Sequence, residues 1–182
     1  MNKFFFDIAI AVLLFPIWFT LGIFIIFIIL IIDRKPVFYL SERIGERNKK
    51  FLMIKFRTLK KNCPLVTSET LKKMNKKFYT KTGSFMKKYK LDELPQFIHV
   101  LTRDMSIVGP RPALPSQFNL IKLRKKKNLH VIKPGITGLA QINQIQVKTI
   151  IDKVNYERIY KKNYSIILDI KIIFLTLLSY CK

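Results

Sequence analysis

IAIAVLLFPIWFTLGIFIIFIILII, Ile8–Ile32, decides the architecture: 25 consecutive residues carry no charge. As a helix at about 1.5 Å per residue the run covers about 37 Å, more than the roughly 30 Å hydrocarbon core of a bilayer. A cleaved signal peptide has a shorter apolar run and ends in small residues. This one ends in Asp33-Arg34-Lys35-Pro36, so it reads as an anchor. Pro16 stands inside the run, where it removes a backbone donor and should kink the helix. Two topologies follow. Proline is tolerated in membrane helices, and the residues alone favour a kinked spanning helix. The alternative is a re-entrant helical hairpin that dips into one leaflet and returns, with Lys3 and Arg34 on the same side.

Working outward from the anchor, the rest of the chain is basic. The 182 residues hold 34 Lys and Arg against 11 Asp and Glu, a formal charge of +23, and every basic residue except Lys3 follows the apolar run. The positive-inside bias therefore puts residues 33–182 in the cytoplasm. Such a charge suits anionic lipid, phosphorylated substrates or nucleic acid, and net charge does not choose among them. No nucleic-acid module, Walker loop or dinucleotide fingerprint is present. Cys63 and Cys181 have no metal or framework spacing and read as reduced thiols.

The size suits one domain beyond the anchor: residues 1–35 as membrane segment, residues 36–182 as cytosolic domain. Val37–Leu40 and Phe51–Ile54 predict two strands joined by a turn at Gly45–Asn48. Residues 68–90 suggest an interrupted basic helix, and Leu94-Pro95-Gln96 opens a short helix reaching Leu101. Gly109-Pro110-Arg111-Pro112 must be extended or turned. Residues 115–130 are again basic and helical, and Leu139–Ile142 is expected as a short apolar strand. Ile166–Cys181 carries Asp169 and Lys171 and is too short between charges to span, so it predicts an amphipathic interfacial or core helix.

Acid is scarce in this basic field. Between Thr70 and Ile151 the only carboxylates are Asp92, Glu93 and Asp104. Adjacent carboxylates can hold Mg²⁺, which favours carboxylate, water and phosphate oxygens, and a carboxylate can itself be a phosphoryl-accepting nucleophile. The pair could equally do no more than cap a helix. Lys55 and Arg57 share one face of an extended segment. Arg111, between two prolines, presents a directed guanidinium suited to bidentate phosphate binding. His99 and His130 lack metal-ligand spacing and read as structural.

Lys90-Leu91-Asp92-Glu93-Leu94-Pro95-Gln96, followed by Asp104-Met105-Ser106-Ile107-Val108-Gly109-Pro110-Arg111-Pro112, resembles the bacterial sugar transferase family in its compact form. These are the monotopic phosphoglycosyl transferases that initiate glycan assembly on undecaprenyl phosphate. Arg43-Ile44-Gly45 with Lys55-Phe56-Arg57-Thr58, then Lys133–Gln141, then Tyr160 and Asn163 through Asp169-Ile170-Lys171, agree in order and spacing. The resemblance implies a helix-rich α+β fold: a re-entrant membrane hairpin bent at Pro16, a small β-hairpin, and amphipathic interfacial helices around a cytosolic active site. It thereby reverses the preference for a spanning helix.

For chemistry it implies that Asp92 attacks a UDP-sugar, UMP leaves, and the phosphosugar passes to undecaprenyl phosphate. Glu93 would hold Mg²⁺, and Lys55, Arg57, Lys87 and Arg111 would bind or orient phosphates. It also implies the cytoplasmic face of the bacterial inner membrane, anionic lipid around the protein and downstream glycosyltransferases as partners, with no nucleic acid. Departures are Phe15 and Lys90 where Ser is usual, Lys87 where Arg is common, Glu157 for Asp, and Gln144-Ile145 for Gly-Arg. The competing readings are a non-catalytic membrane-tethered basic module that binds anionic lipid or nucleic acid, and a degenerate member acting as a scaffold.

Overall fold

A computed structural model of the chain describes residues 2–60, 63 and 78–180. The apolar run becomes two helices, α1 (Lys3–Leu13) and α2 (Phe15–Ile32). The break precedes the proline: Leu14 closes α1 by donating its N–H to the Ile10 carbonyl at 2.9 Å. Pro16 then sits in the first turn of α2, where a missing N–H costs nothing because those groups have no helical partner. The expected kink at Pro16 is thus a helix boundary two residues earlier. Over its 18 residues α2 has a mean hydropathy of 2.8, long and apolar enough to cross a membrane by length and composition.

Strands β1 (Phe38–Ile44) and β2 (Lys50–Phe56) form a two-stranded sheet joined by a 3₁₀ turn at Glu46–Asn48, as expected but with longer strands. Arg47 and Asn48 take positive φ of 53° and 62° there, the left-handed backbone of a tight turn. After α3 (Gly83–Lys88) come a 3₁₀ turn, Leu91–Gln96, and α4 (Phe97–Leu101). The helix expected over residues 68–90 falls partly on 68–77, outside the described residues, as does Cys181; α3 is its described part.

The short strands β3 (Ser106–Val108) and β4 (Gly135–Thr137) pair in parallel, Ser106 opposite Gly135 and Val108 opposite Thr137. Helix α5 (Phe118–Lys126) lies between them in sequence. The expected strand at Leu139–Ile142 is instead a helix, α6 (Leu139–Ile142). Gly138 is extended, and its carbonyl accepts the N–H groups of Gln141 and Ile142 at 2.8 and 3.1 Å, which starts a helical turn. Four residues, of which Leu139, Ala140 and Ile142 are apolar, carry too little periodicity to separate helix from strand. The chain ends with α7 (Ile150–Lys162), opened by a Thr149–Asp152 capping box, and α8 (Ile166–Tyr180).

Two compact units emerge. One comprises Met1–Phe15, Ser41–Met53 and Gln96–Lys182; the other comprises Pro16–Leu40 and Ile54–Pro95. In the first, Ala11, Val100, Ile107, Val108, Tyr160 and Ile172 form a core, and Ala113, Leu120, Leu129 and Val154 form another. Gly109 and Gly135 let β3 and β4 meet: a Cβ on Gly135 would lie 2.0 Å from the Gly109 nitrogen. In the second unit, Ile25 and Ile29 of α2 pack with Phe56 and Met86, flanked by Leu91 and Leu94.

Helix α8 turns Asp169 and Ile172 inward, both fully buried, while Ile167, Ile170, Phe174 and Leu177 are exposed. It is therefore a core helix on one face, the second of the two alternatives expected for it, and its other face is exposed and apolar. The helix-rich α+β class stands.

Candidate active site

The acidic pair belongs to the second unit, on the 3₁₀ turn Leu91–Gln96. Leu91 and Leu94 of this turn pack against the core that Ile25 and Ile29 of α2 help to build. Between them, Asp92 is 1% exposed and Glu93 7%. Lys90 enters the turn at φ 56°, and its carbonyl accepts the Glu93 N–H at 3.1 Å. A non-glycine residue in left-handed backbone just before the pair sets the direction of both carboxylates.

Each carboxylate meets one lysine. Lys55, the penultimate residue of β2 and 7% exposed, donates from Nζ to Glu93 Oε1 at 2.6 Å. Lys87, at the end of α3, donates from Nζ to Asp92 Oδ2 at 3.0 Å and is about a third exposed in its side chain. Asp92 Oδ1 is buried with no hydrogen-bond partner among the described residues. A carboxylate oxygen that no protein group engages retains its lone pairs for an electrophile or a cation.

Lys87 is placed by the start of α3. A Cβ on Gly83 would lie 2.1 Å from the Thr58 carbonyl oxygen, so only glycine permits that approach. The same carbonyl accepts the Thr80 N–H at 3.0 Å, and Thr80 Oγ1 accepts the Gly83 N–H at 3.0 Å. Asp33, just past the end of α2, accepts the N–H groups of Lys81 and Thr82 and the Thr82 hydroxyl. Arg57 donates from Nη2 to the carbonyls of Asp33 and Arg34 at 2.8 and 2.7 Å, binding the C-terminal end of α2 where carbonyls lack partners. The C-terminal end of α2, the Lys87 helix and the acidic turn are thereby tied into one unit.

The structure thus brings Lys55, Lys87, Asp92 and Glu93 together and places Arg57 on the helix end. Arg111 lies in the first unit. There Arg124 forks onto Glu157, with Nε to Oε2 at 2.8 Å and Nη2 to Oε1, and Nη2 also donates to the Arg111 carbonyl at 3.0 Å. The Pro-Arg-Pro backbone is held by this buried pair, which sequence reasoning missed apart from Glu157 itself. His99 packs beside Asp104, 3.6 Å from Nδ1; burial lowers its pKa and Asp104 opposes the shift.

Sequence reasoning also missed Asp7. It is buried in the first unit, accepting the Ser106 hydroxyl at 2.8 Å and the Ile107 N–H at 3.2 Å. Nearby, Lys3 donates to fully buried Asp169 at 2.7 Å, and Asp169 also accepts the Tyr160 hydroxyl at 2.7 Å. Burial, then Asp169, hold the Tyr160 phenol far above its usual range, so it stays a donor. The signal for Asp7 was present, since it is the only acid before the apolar run and lies four residues after Lys3.

Residues 1–182 match the family model for bacterial sugar transferase. The chain is 37% identical over 175 residues to the uncharacterized sugar transferase EpsL of Bacillus subtilis (strain 168), covering 94% of this chain and 83% of that protein. It is 41% identical over 150 residues to the UDP-glucose:undecaprenyl-phosphate glucose-1-phosphate transferase of Escherichia coli (strain K12), covering 78% of this chain but 32% of that protein. An Aeromonas hydrophila UDP-N-acetylgalactosamine-undecaprenyl-phosphate N-acetylgalactosaminephosphotransferase is 32% identical over 177 residues, covering 94% of this chain and 41% of that protein. The chain therefore spans about a third to two fifths of these two longer transferases. With a match from its first residue to its last, this chain belongs to the bacterial sugar transferase family.

Proposed function

We propose that the protein transfers a sugar-1-phosphate from a UDP-sugar to undecaprenyl phosphate, through a covalent phosphosugar on Asp92. The observation that carries this is the state of Asp92: nearly inaccessible, one oxygen bonded to Lys87 and the other without a partner among the described residues. Asp92 Oδ1 attacks the β-phosphorus of the donor, the bond from that phosphorus to the bridging oxygen breaks, and UMP leaves. An oxygen of undecaprenyl phosphate then attacks the same phosphorus. The acyl-phosphate bond breaks, Asp92 is restored as carboxylate and the product is undecaprenyl-diphosphate-sugar.

Lys87 holds the non-attacking oxygen and so orients the nucleophile, and its charge faces the phosphoryl oxygens. Lys55 fixes Glu93. The donor set of Glu93 and Asp92 suits Mg²⁺, being hard anionic oxygens of which one is orphaned. Among the described residues no three acidic, His or Cys side chains gather, so remaining ligands would come from water and substrate. When bound, Mg²⁺ supplies neutralisation of the diphosphate charge. Arg57 and Arg111 remain the further phosphate-binding residues of this reading.

The apolar α2 and the outward faces of α1 and α8 support a membrane-seated enzyme acting at the cytoplasmic face of the inner membrane, in glycan assembly with downstream glycosyltransferases. The finer topology proposed is the re-entrant hairpin. An N-terminal tag modified by a reagent confined to the cytoplasmic side supports it, and a tag reached only from outside excludes it.

The decisive experiment is Asp92→Asn with a panel of UDP-sugars. UMP release should fall by about a thousandfold or more, and the phosphosugar adduct should vanish from the intact mass. Normal turnover by the variant would remove Asp92 from the mechanism. The alternative, a basic module binding anionic lipid, predicts salt-sensitive vesicle binding with no UMP from any donor, in wild type and variant alike.

A further inference from the structure

Helix α7 carries a lysine that the proposed chemistry has not used. Lys153 lies one helical turn before Glu157, and α7 is aimed by the capping box at Thr149. Glu157 is 2% exposed, and both its oxygens are taken by Arg124. Arg124 in turn holds the Arg111 carbonyl. Arg43 reaches the same neighbourhood from β1: the next residue, Ile44, donates its N–H to the Ala113 carbonyl at 2.9 Å, two residues beyond Arg111.

Three further cations (Arg43, Arg111 and Arg124) thus lie near enough to act on the Lys153 charge, while Glu157, the carboxylate that offsets them, is already engaged by Arg124. Among the described residues the Lys153 ammonium has neither an ion pair nor a hydrogen bond. Lys153 is half-buried and its ammonium is still reached by solvent, so an incoming anion can meet it directly.

We propose that Lys153, flanked by Arg43 and Arg111, is the receiving group for a phosphate of one of the two substrates. A phosphate oxygen would accept from the ammonium while the guanidiniums of Arg43 and Arg111 take the remaining anionic oxygens. This rests on the transferase reading, and it adds a binding residue in the first unit that neither spacing nor motif had singled out.

A pH signature accompanies the geometry. Burial, then Arg124, with Arg111 and Arg43 adding to it and Glu157 opposing, pull the Lys153 pKa down from 10.5 to about 8. The free enzyme therefore loses the receiving charge as pH rises through about 8. Arginine keeps its charge throughout.

The test uses the full chain in detergent or nanodiscs, with Lys153→Met and Lys153→Arg. Loss of one charge-assisted hydrogen bond to phosphate weakens binding by about ten- to a hundredfold. With Lys153→Met, the KM of either the UDP-sugar or the undecaprenyl phosphate should rise by that factor while kcat stays within about threefold. The substrate whose KM moves identifies the source of the phosphate. Lys153→Arg should restore affinity and remove the fall in kcat/KM above pH 8.

Direct calorimetric binding of UMP and inorganic pyrophosphate separates this proposal from the transferase reading, because it needs no turnover. If wild type binds either probe and Lys153→Met binds it at least about tenfold more weakly, the assignment holds even should no donor be found. Unchanged KM for both substrates together with unchanged binding of both probes in a folded Lys153→Met overturns it.

Discussion

Lys153→Met should make the protein more stable as well as less able to hold phosphate. Methionine keeps the unbranched stem and helix propensity of lysine and deletes only the charge. The fall in pKa from 10.5 to about 8 measures how much the folded site prefers the neutral amine. A difference of that size is worth at most about 3 kcal/mol. Since the side chain keeps part of its water, roughly 1–2 kcal/mol is expected after screening.

The sign follows from proton counting. Between about pH 8 and 10.5 the unfolded chain binds more protons at this residue than the folded one, so stability rises with pH across that window. Below about pH 8 the full penalty is present. At pH 7, without phosphate or nucleotide, the variant should therefore melt about 2–8 °C above wild type. The gap should close as pH approaches 10. Differential scanning fluorimetry in matched detergent reads both. A variant that melts below wild type at pH 7, or a gap that ignores pH, would refute the claim that an uncompensated ammonium sits there.

Three other outcomes follow from the same geometry. Gly135→Ala forces a Cβ to within 2.0 Å of the Gly109 nitrogen, so the β3–β4 pair must separate at a cost of about 1–3 kcal/mol, read as a lower melting temperature. Asp169→Ala strands the Lys3 ammonium and removes the acceptor of Tyr160, costing about 3–5 kcal/mol. Lys3→Met added to it should recover part of the loss in a double-mutant cycle, and strict additivity would argue against the Lys3–Asp169 pair. Lys87→Met takes the cation from the buried Asp92 carboxylate, so it should lower the melting temperature and also slow phosphosugar capture on Asp92 by about tenfold or more, with Lys87→Arg restoring most of both.

Much of this architecture was legible in the chain itself. The uncharged run Ile8–Ile32 announces long apolar helix because so much apolar surface has to be kept from water. The β-formers before and after Gly45–Asn48 announce the first sheet. Asp92 and Glu93 stood out because acid is scarce around them, and the ordered motifs from Arg43 to Lys171 carried the family. Leu139–Ile142 was misread because three apolar residues in four fit either period, and the strand lies at Gly135–Thr137, where the contact of Gly109 with Gly135 decides it.

By itself the sequence determined which segment is apolar, where the charge lies and which residue types are available for phosphate chemistry, since these are properties of composition and order. Only the tertiary structure decided how those residues are spent. It put Lys55 on Glu93 and Lys87 on Asp92, left one Asp92 oxygen without a partner among the described residues, bound Arg57 to the end of α2, and locked Glu157 to Arg124 one turn from Lys153. Partners 33 or 38 positions apart are not visible in any local pattern. They follow from how buried turns and helix ends satisfy their backbone groups, and that is settled only when the chain packs.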